Sequence, residues 1–308
     1  MTVKFIYFLA IFTVLCACNS ENEERFKKPS EILQVNSQYF NVSTKMDTVI
    51  VGKKGTRVKV FSESFDVLDD SIRIELKEYY SFPDMVIEGL HSVSNGRILE
   101  TDGMIYLNVV SLSGKSLGSK LNKQWVVQLP LTNQEMKLFY GKYRGEELNW
   151  EMSDESPKNE TVPTLVADSL PTDYALRTLY NTFPVNRLGW INADKFMEIE
   201  NKTDLVVKLS KIQQGARYSA VFHNYNSILS ETPNDKGELV FIGIPSGEKI
   251  TLIGIGAKDN ILFYSDLDMI TDSKNATLPL LKEISKEDLR SELETKFGNS
   301  LAYRPKLK

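Results

Sequence analysis

Asp173 and Asp194 stand to either side of Trp190, with Glu198 and Glu200 close behind, and paired carboxylates near an aromatic are the working groups of an acid–base hydrolase. Such a pair must face across a cleft at a set separation. The spacing here fixes none, so structural carboxylates are the expectation and a hydrolase using this region is a distant alternative. Histidine chemistry is restricted to His91 and His223, which excludes a multi-histidine zinc site and leaves any Ser-His-Asp arrangement dependent on one of the two. Asp266, Asp268 and Asp272 offer oxygen ligands for calcium, but without the EF-hand spacing or its glycine they read as a solvated acidic loop. Gly114-Lys115-Ser116 ends like a phosphate-binding loop, yet Val109 stands where the leading glycine is required. These residues predict a chain with no catalytic site, no metal and no cofactor.

The thiols carry a different chemistry. Both cysteines, Cys16 and Cys18, close an N-terminal run that starts basic at Lys4, is apolar from Phe5 to Leu15 and places the small Ala17 just before Cys18. That order is a secretory signal with a lipid-acceptor site. A transmembrane helix needs about 20 apolar residues, more than this run supplies. Leu15-Cys16-Ala17-Cys18 resembles the lipobox of bacterial lipoproteins, which implies a signal peptide over 1–17, cleavage before Cys18, and a diacylglycerol with acyl chains such as palmitate on its sulfur. Cys16 would leave with the signal, so no mature thiol remains for catalysis, a disulfide or a metal. A cleaved, unanchored secreted protein is the alternative.

Residues 18–34 are polar and read as a flexible tether. Within it, Glu21, Glu23 and Glu24 resemble the acidic signal that sends lipoproteins of Bacteroidota to the outer cell surface, and Asn19 is not the aspartate that retains lipoproteins at the inner membrane. The expected location is the outer membrane, lipid-anchored and facing outward, with a plain solvating tether as the alternative. Thirty-seven basic against 41 acidic residues give a net charge of −4 and no basic footprint for nucleic acid.

The elements that must position these groups are β-strands. Ile72, Ile74 and Leu76 alternate with Arg73, Glu75 and Lys77, and Val58 and Val60 alternate with Arg57 and Lys59, as in half-buried strands. Met104 to Val110 is apolar on both faces and suits a central strand, while Ser94-Asn95-Gly96 and Ser113-Gly114-Lys115 are turn signals. Residues 35–151 therefore predict one β-sandwich. A polar, proline-punctuated stretch over 152–165 reads as an inter-domain linker. Residues 166–308 supply a connecting segment and a second β-sandwich, with strands at Tyr218–Phe222, Glu238–Ile244 and Lys249–Ala257. Ser285 with Asp288 and Gly298 frames a short C-terminal α-helix whose Leu289, Leu293 and Phe297 make one apolar stripe, expected to dock on the second sandwich.

Gly55-Thr56-Arg57-Val58-Lys59-Val60, Glu78-Tyr79-Tyr80, Leu99 to Tyr106, Phe139-Tyr140-Gly141 with Trp150, and Gly189 to Phe196 together resemble a family of Bacteroidota surface lipoproteins over roughly Gly55 to Phe196. Its sandwich module is itself similar to that of ankyrins and netrin receptors. The resemblance implies fold and location and carries no established activity. Phe61, Asp102, Ala193 and Lys195 depart from the family pattern, which has proline, glycine, cysteine and arginine there. Trp190 and Phe196 are expected to anchor a loop that Asn192 and Asp194 close as turn formers. The leading expectation is a non-enzymatic envelope lipoprotein that binds a protein or glycan partner or serves as a scaffold. The alternative is a carbohydrate-binding accessory lipoprotein of a nutrient-uptake system.

Overall fold

The computed structural model describes residues 25–33, 37–65, 70–130, 136–145, 147–154, 180–274, 276–298 and 301, and it is mostly β. The alternation at Ile72, Ile74 and Leu76 becomes β4 (Ser71–Tyr79), on which these three side chains point into one core while Tyr79 points to the opposite face. β4 lies between β1 (Gln38–Ser43) and β6 (Arg97–Ser111) in a seven-stranded sheet that continues through β11 (Gly189–Phe196) and β8 (Lys137–Arg144) to β9 (Glu147–Met152), with the short β5 (Val93–Ser94) paired to β6. β6 is the central strand that its two-sided apolarity predicts. A four-stranded sheet, β10 (Tyr180–Arg187), β7 (Lys120–Pro130), β3 (Arg57–Val60) and β2 (Thr48–Val51), faces it. Trp125, Val127, Phe183, Val58 and Ile50 from the smaller sheet meet Ile74, Leu107 and Ile191 from the larger. Each such side chain taken out of water contributes about 1.5–3 kcal/mol.

The first sandwich does not end at 151. β10 and β11 belong to it, so the polar stretch over 152–165 joins two strands of one domain, and the boundary falls after Phe196. Phe183 and Val185 fill the core from one sheet while Ile191 and Ala193 fill it from the other. The polarity of that stretch carried no information about which sheet the next strand would join. At the β6–β11 pairing the register shifts between Ala193 and Asp194, with Asp102 as the extra residue. Gly103 beside it, at φ 132°, leaves room for the Tyr80 ring, which would stand 2.1 Å from an added Cβ.

The second sandwich pairs a three-stranded sheet, β15 (Glu238–Pro245), β12 (Lys202–Leu209) and β18 (Ala276–Leu278), with a five-stranded one. The latter runs β14 (Ser227–Glu231), β13 (Arg217–Phe222), β16 (Lys249–Lys258), β17 (Ile261–Ile270) and β19 (Lys282–Ile284). Tyr218, Ala220 and Phe222 of β13 face its core, and Val221 faces out. That outer face is not solvated: Val221, Ile228, Ile253, Ile255 and Tyr264 pack against Tyr79, Met104, Trp150 and Trp190 of the first sandwich. Ser92 N–H donates to Ile228 O at 2.8 Å and Thr101 N–H to Asn226 O at 2.8 Å, so backbone bonds also cross the seam.

Helix α2 (Phe82–Glu88) fills one end of this seam, capped by Ser81 and closed by Gly89 at φ 74°. Earlier in the chain, α1 (Ser30–Leu33) rests Ile32 and Leu33 on the same cluster. The C-terminal helix α3 (Lys286–Phe297) has the expected Ser285 cap, which accepts from Asp288 N–H at 3.0 Å. Its stripe docks on the seam, with Leu289 and Leu293 among residues of both halves and Phe297 edge-on to Phe82 at 6.0 Å, rather than on the second sandwich alone. The stretch assigned to tether is also shorter than the sequence suggests. Lys27 and Ala257 exchange backbone hydrogen bonds at 2.7 and 3.0 Å, and Phe26 sits over Gly256 and edge-on to Phe263 at 5.1 Å. One aromatic in a charged run was enough to dock it.

Candidate functional site

The structure places Asp194 on strand β11 with no solvent exposure, in the layer under the second sandwich. Asn192 Nδ2–H donates to Asp194 Oδ2 at 2.6 Å, and Thr101 Oγ1–H donates to Asn192 Oδ1 at 2.9 Å. Asn192 and Asp194 thus knit β11 to β6 within the sheet, which replaces the expected turn-closing role: cross-strand pairing outweighed their local turn preference. Burial pushes the Asp194 carboxyl well above the usual carboxylate range, and the nearby Asp102 carboxylate acts in the same direction. Asp102 accepts from Asn181 Nδ2–H at 3.1 Å. Asp173 and Cys18 lie outside the described residues, and Glu198 and Glu200 are exposed.

His223 Nε2 and Thr251 Oγ1 are 2.7 Å apart, and Thr251 Oγ1–H donates to Asp268 at 2.6 Å. A hydroxyl, not an imidazole, is therefore the middle group, the reverse of a nucleophile–histidine–acid order. Lys296 of α3 bridges Asp266 at 2.8 Å and Asp268 at 3.6 Å, so the chain of groups fastens helix to sheet. The Thr251 hydrogen bond, with Lys296 and His223 behind it, holds Asp268 below the usual carboxylate range. Asp272 turns away to accept from Ser246, and no cluster of three or more metal-ligating side chains occurs among the described residues. Burial pushes the His91 imidazole down, while its carbonyl accepts from Trp150 Nε1–H at 2.7 Å.

An open surface remains on the seven-stranded sheet. Along each strand the side chains that do not enter the first core point to the outer face, and that face changes character from one end of the strands to the other. Tyr79, Met104, Asn192 and Phe139 form a fully covered row under the second sandwich. In the next row Lys77 opposes Tyr106, and Tyr106 opposes Trp190. Trp190 is 8% exposed, ringed by Tyr106 at 5.2 Å, Tyr79 at 5.4 Å and Trp150 at 6.4 Å, and its predicted burial is realised on a strand rather than a loop. Gly141 beneath it has no side chain to lose: a Cβ there would lie 2.5 Å from the Trp190 Cβ.

One row further the face opens. Tyr39 opposes Glu75 and Glu75 opposes Asn108, while Tyr143 projects from the same side of β8; the two tyrosines are 62% and 51% exposed. Glu75 is held by Ser37 Oγ–H at 2.6 Å, Asn108 Nδ2–H at 3.4 Å and Lys77 Nζ at 3.9 Å. Lys77 also stands 5.8 Å over the Tyr106 ring. Tyr39, Tyr106 and Tyr143 went unremarked as a group in the sequence because they sit on three strands far apart in the chain; their shared outward phase was the available signal.

Carboxylates also meet at the edge of the seam. Burial, with Glu147 adding to it, pushes Glu231 at the end of β14 up to about 6 from an ordinary 4.5. A carboxyl raised in the folded state contributes stability that is full below its unfolded value and lost as pH rises through its folded one. Glu231→Gln is expected to match the parent near about pH 4 and to exceed it near about pH 7, as read from urea midpoints. Equal midpoints at both pH values would dissociate Glu231 from the pH response.

Comparison of the chain with models of known protein families gave no match, and comparison with curated proteins gave none either.

Proposed function

We propose that this protein is a non-enzymatic, lipid-anchored binding module of the outer cell envelope that presents the open face of its seven-stranded sheet to a partner. The observation that carries the reading is the face itself, where Tyr39, Tyr106 and Tyr143 stand among Glu75, Lys77 and Asn108 on a rigid sheet backed by a packed core. Rigid elements bearing exposed aromatics bind with little ordering cost. The resemblance of Leu15-Cys16-Ala17-Cys18 to a lipobox, and of Gly55 to Phe196 to surface lipoproteins, supports the location. The non-enzymatic part of the reading rests on the engagement of Asp194, His223 and Asp268 in structural bonds.

Two experiments test it. Cys18→Ser is expected to lose incorporation of a labelled fatty acid and to leave the membrane fraction; a variant that still pellets with the outer membrane would sink the anchor. A photo-cross-linking residue at Tyr143 is expected to give an adduct on living cells, while one at Ile242, which is 75% exposed on the second sandwich, gives none. Equal yields at the two positions would remove the face from the account.

A further inference from the structure

We propose that the open face is a saccharide platform for a neutral, extended, β-linked glycan laid across the strands from Tyr39 to Tyr143, an inference that rests on reading this face as a binding surface. The strand order β1-β4-β6-β11-β8 puts Tyr39 on the first strand, Tyr106 on the third and Tyr143 on the fifth. With strands about 4.8 Å apart, Tyr39 and Tyr143 stand ~19 Å apart across the strands, and Tyr106 stands midway between them, one row (~7 Å) to the side, so a chain laid between the outer two rings passes beside the third. In an extended β-linked pyranose chain, alternate sugars present the same face, and each ring has an apolar C–H face rimmed by equatorial hydroxyls. The C–H face stacks on a tyrosine, and the rim meets hydrogen-bonding groups set beside it. On this sheet those groups are Glu75 and Lys77 on β4 and Asn108 on β6.

Charge selects among ligands. In the rows of the track β4 presents Lys77 and Glu75 side by side at 3.9 Å, and Glu88 beyond them is bonded to the Tyr79 hydroxyl at 3.1 Å, so these groups offer no row of cations to an acidic polymer. Arg73 lies one row further, with its Nε–H 3.4 Å from Asn41 Oδ1. A protein partner would call for a contiguous apolar centre depleted of charge. Here the Glu75–Lys77 pair separates Tyr39 from Tyr106, an interleaving of ring and polar group that suits a sugar chain.

The test uses the full chain, purified from membranes in detergent and titrated with short soluble oligosaccharides: β-1,4-linked glucose, mannose and N-acetylglucosamine, α-1,4-linked glucose, and a polyuronate. Heat and tryptophan fluorescence are both read. Trp125 and Trp150 have no exposure, so a fluorescence change reports Trp190 at the margin of the platform. Saturable binding to at least one neutral β-linked series is expected, weakened at least about tenfold in the Tyr39→Ala, Tyr143→Ala double variant and retained in Tyr143→Phe. Both tyrosines are exposed, so the melting temperature should stay at the parent value and separate lost binding from lost fold. Preference for the polyuronate or the α-linked series, binding indifferent to both tyrosines, or no binding to any β-linked series would each overturn the proposal. An adduct at position 143 on cells without saccharide binding would overturn the glycan assignment and leave the binding surface standing; absence of both would overturn the surface as well.

Discussion

Trp190→Ala is expected to lower the stability of the protein by about 3–5 kcal/mol, the range for truncating a buried large aromatic. The indole occupies the place where three other aromatic rings and the vacant side of Gly141 converge, and no neighbour can collapse into the space it leaves. Tyr79 is held by its own bond to Glu88 at 3.1 Å, and Trp150 by its bond to the His91 carbonyl, so both rings would keep their positions around a cavity. Denaturant unfolding of Trp190→Ala against the parent reads the loss directly. A cost under about 1 kcal/mol would show that the site relaxes, and that Trp190 belongs to the surface more than to the seam.

Leu293→Ala should cost about 2–5 kcal/mol and should destabilise both halves together. Leu293 has no exposure, and its cluster contains residues of α2, of the seven-stranded sheet and of the five-stranded sheet. The loss is therefore shared. Near-ultraviolet circular dichroism and differential scanning calorimetry should show one transition moved to lower temperature. Two resolved transitions, with one unmoved, would mean that the sandwiches melt independently and that α3 serves a single half.

The strands were legible wherever one face meets water. Ile72, Ile74 and Leu76 on one side and Arg73, Glu75 and Lys77 on the other leave one arrangement open, and the pairing follows it. The C-terminal helix was equally readable from Ser285, Asp288 and the Leu289–Leu293 spacing, because capping and stripe are local properties. What the sequence withheld is non-local. Nothing within Tyr180–Phe196 says that these strands return to the first sandwich, since partner choice depends on cores assembled from distant segments. The same holds for Val221 and Ile253, apolar on the face of the five-stranded sheet turned away from its own core, which become intelligible once the first sandwich covers them. α2 could have been found: Ser81, Pro83 and Gly89 are cap, first-turn and stop signals within nine residues, obscured by the strand pattern on both sides.

On the proposed anchoring at Cys18, the docking of Phe26 and Lys27 against β16 sets how much chain lies between lipid and fold. From Cys18 to Phe26 the chain makes eight steps, which at full stretch cover at most about 29 Å. A lipid on Cys18 would hold the second sandwich, where that stretch is made fast, close to the bilayer. The pair of sandwiches would then work within a shallow layer above the membrane, its reach set by its own dimensions more than by the connecting chain.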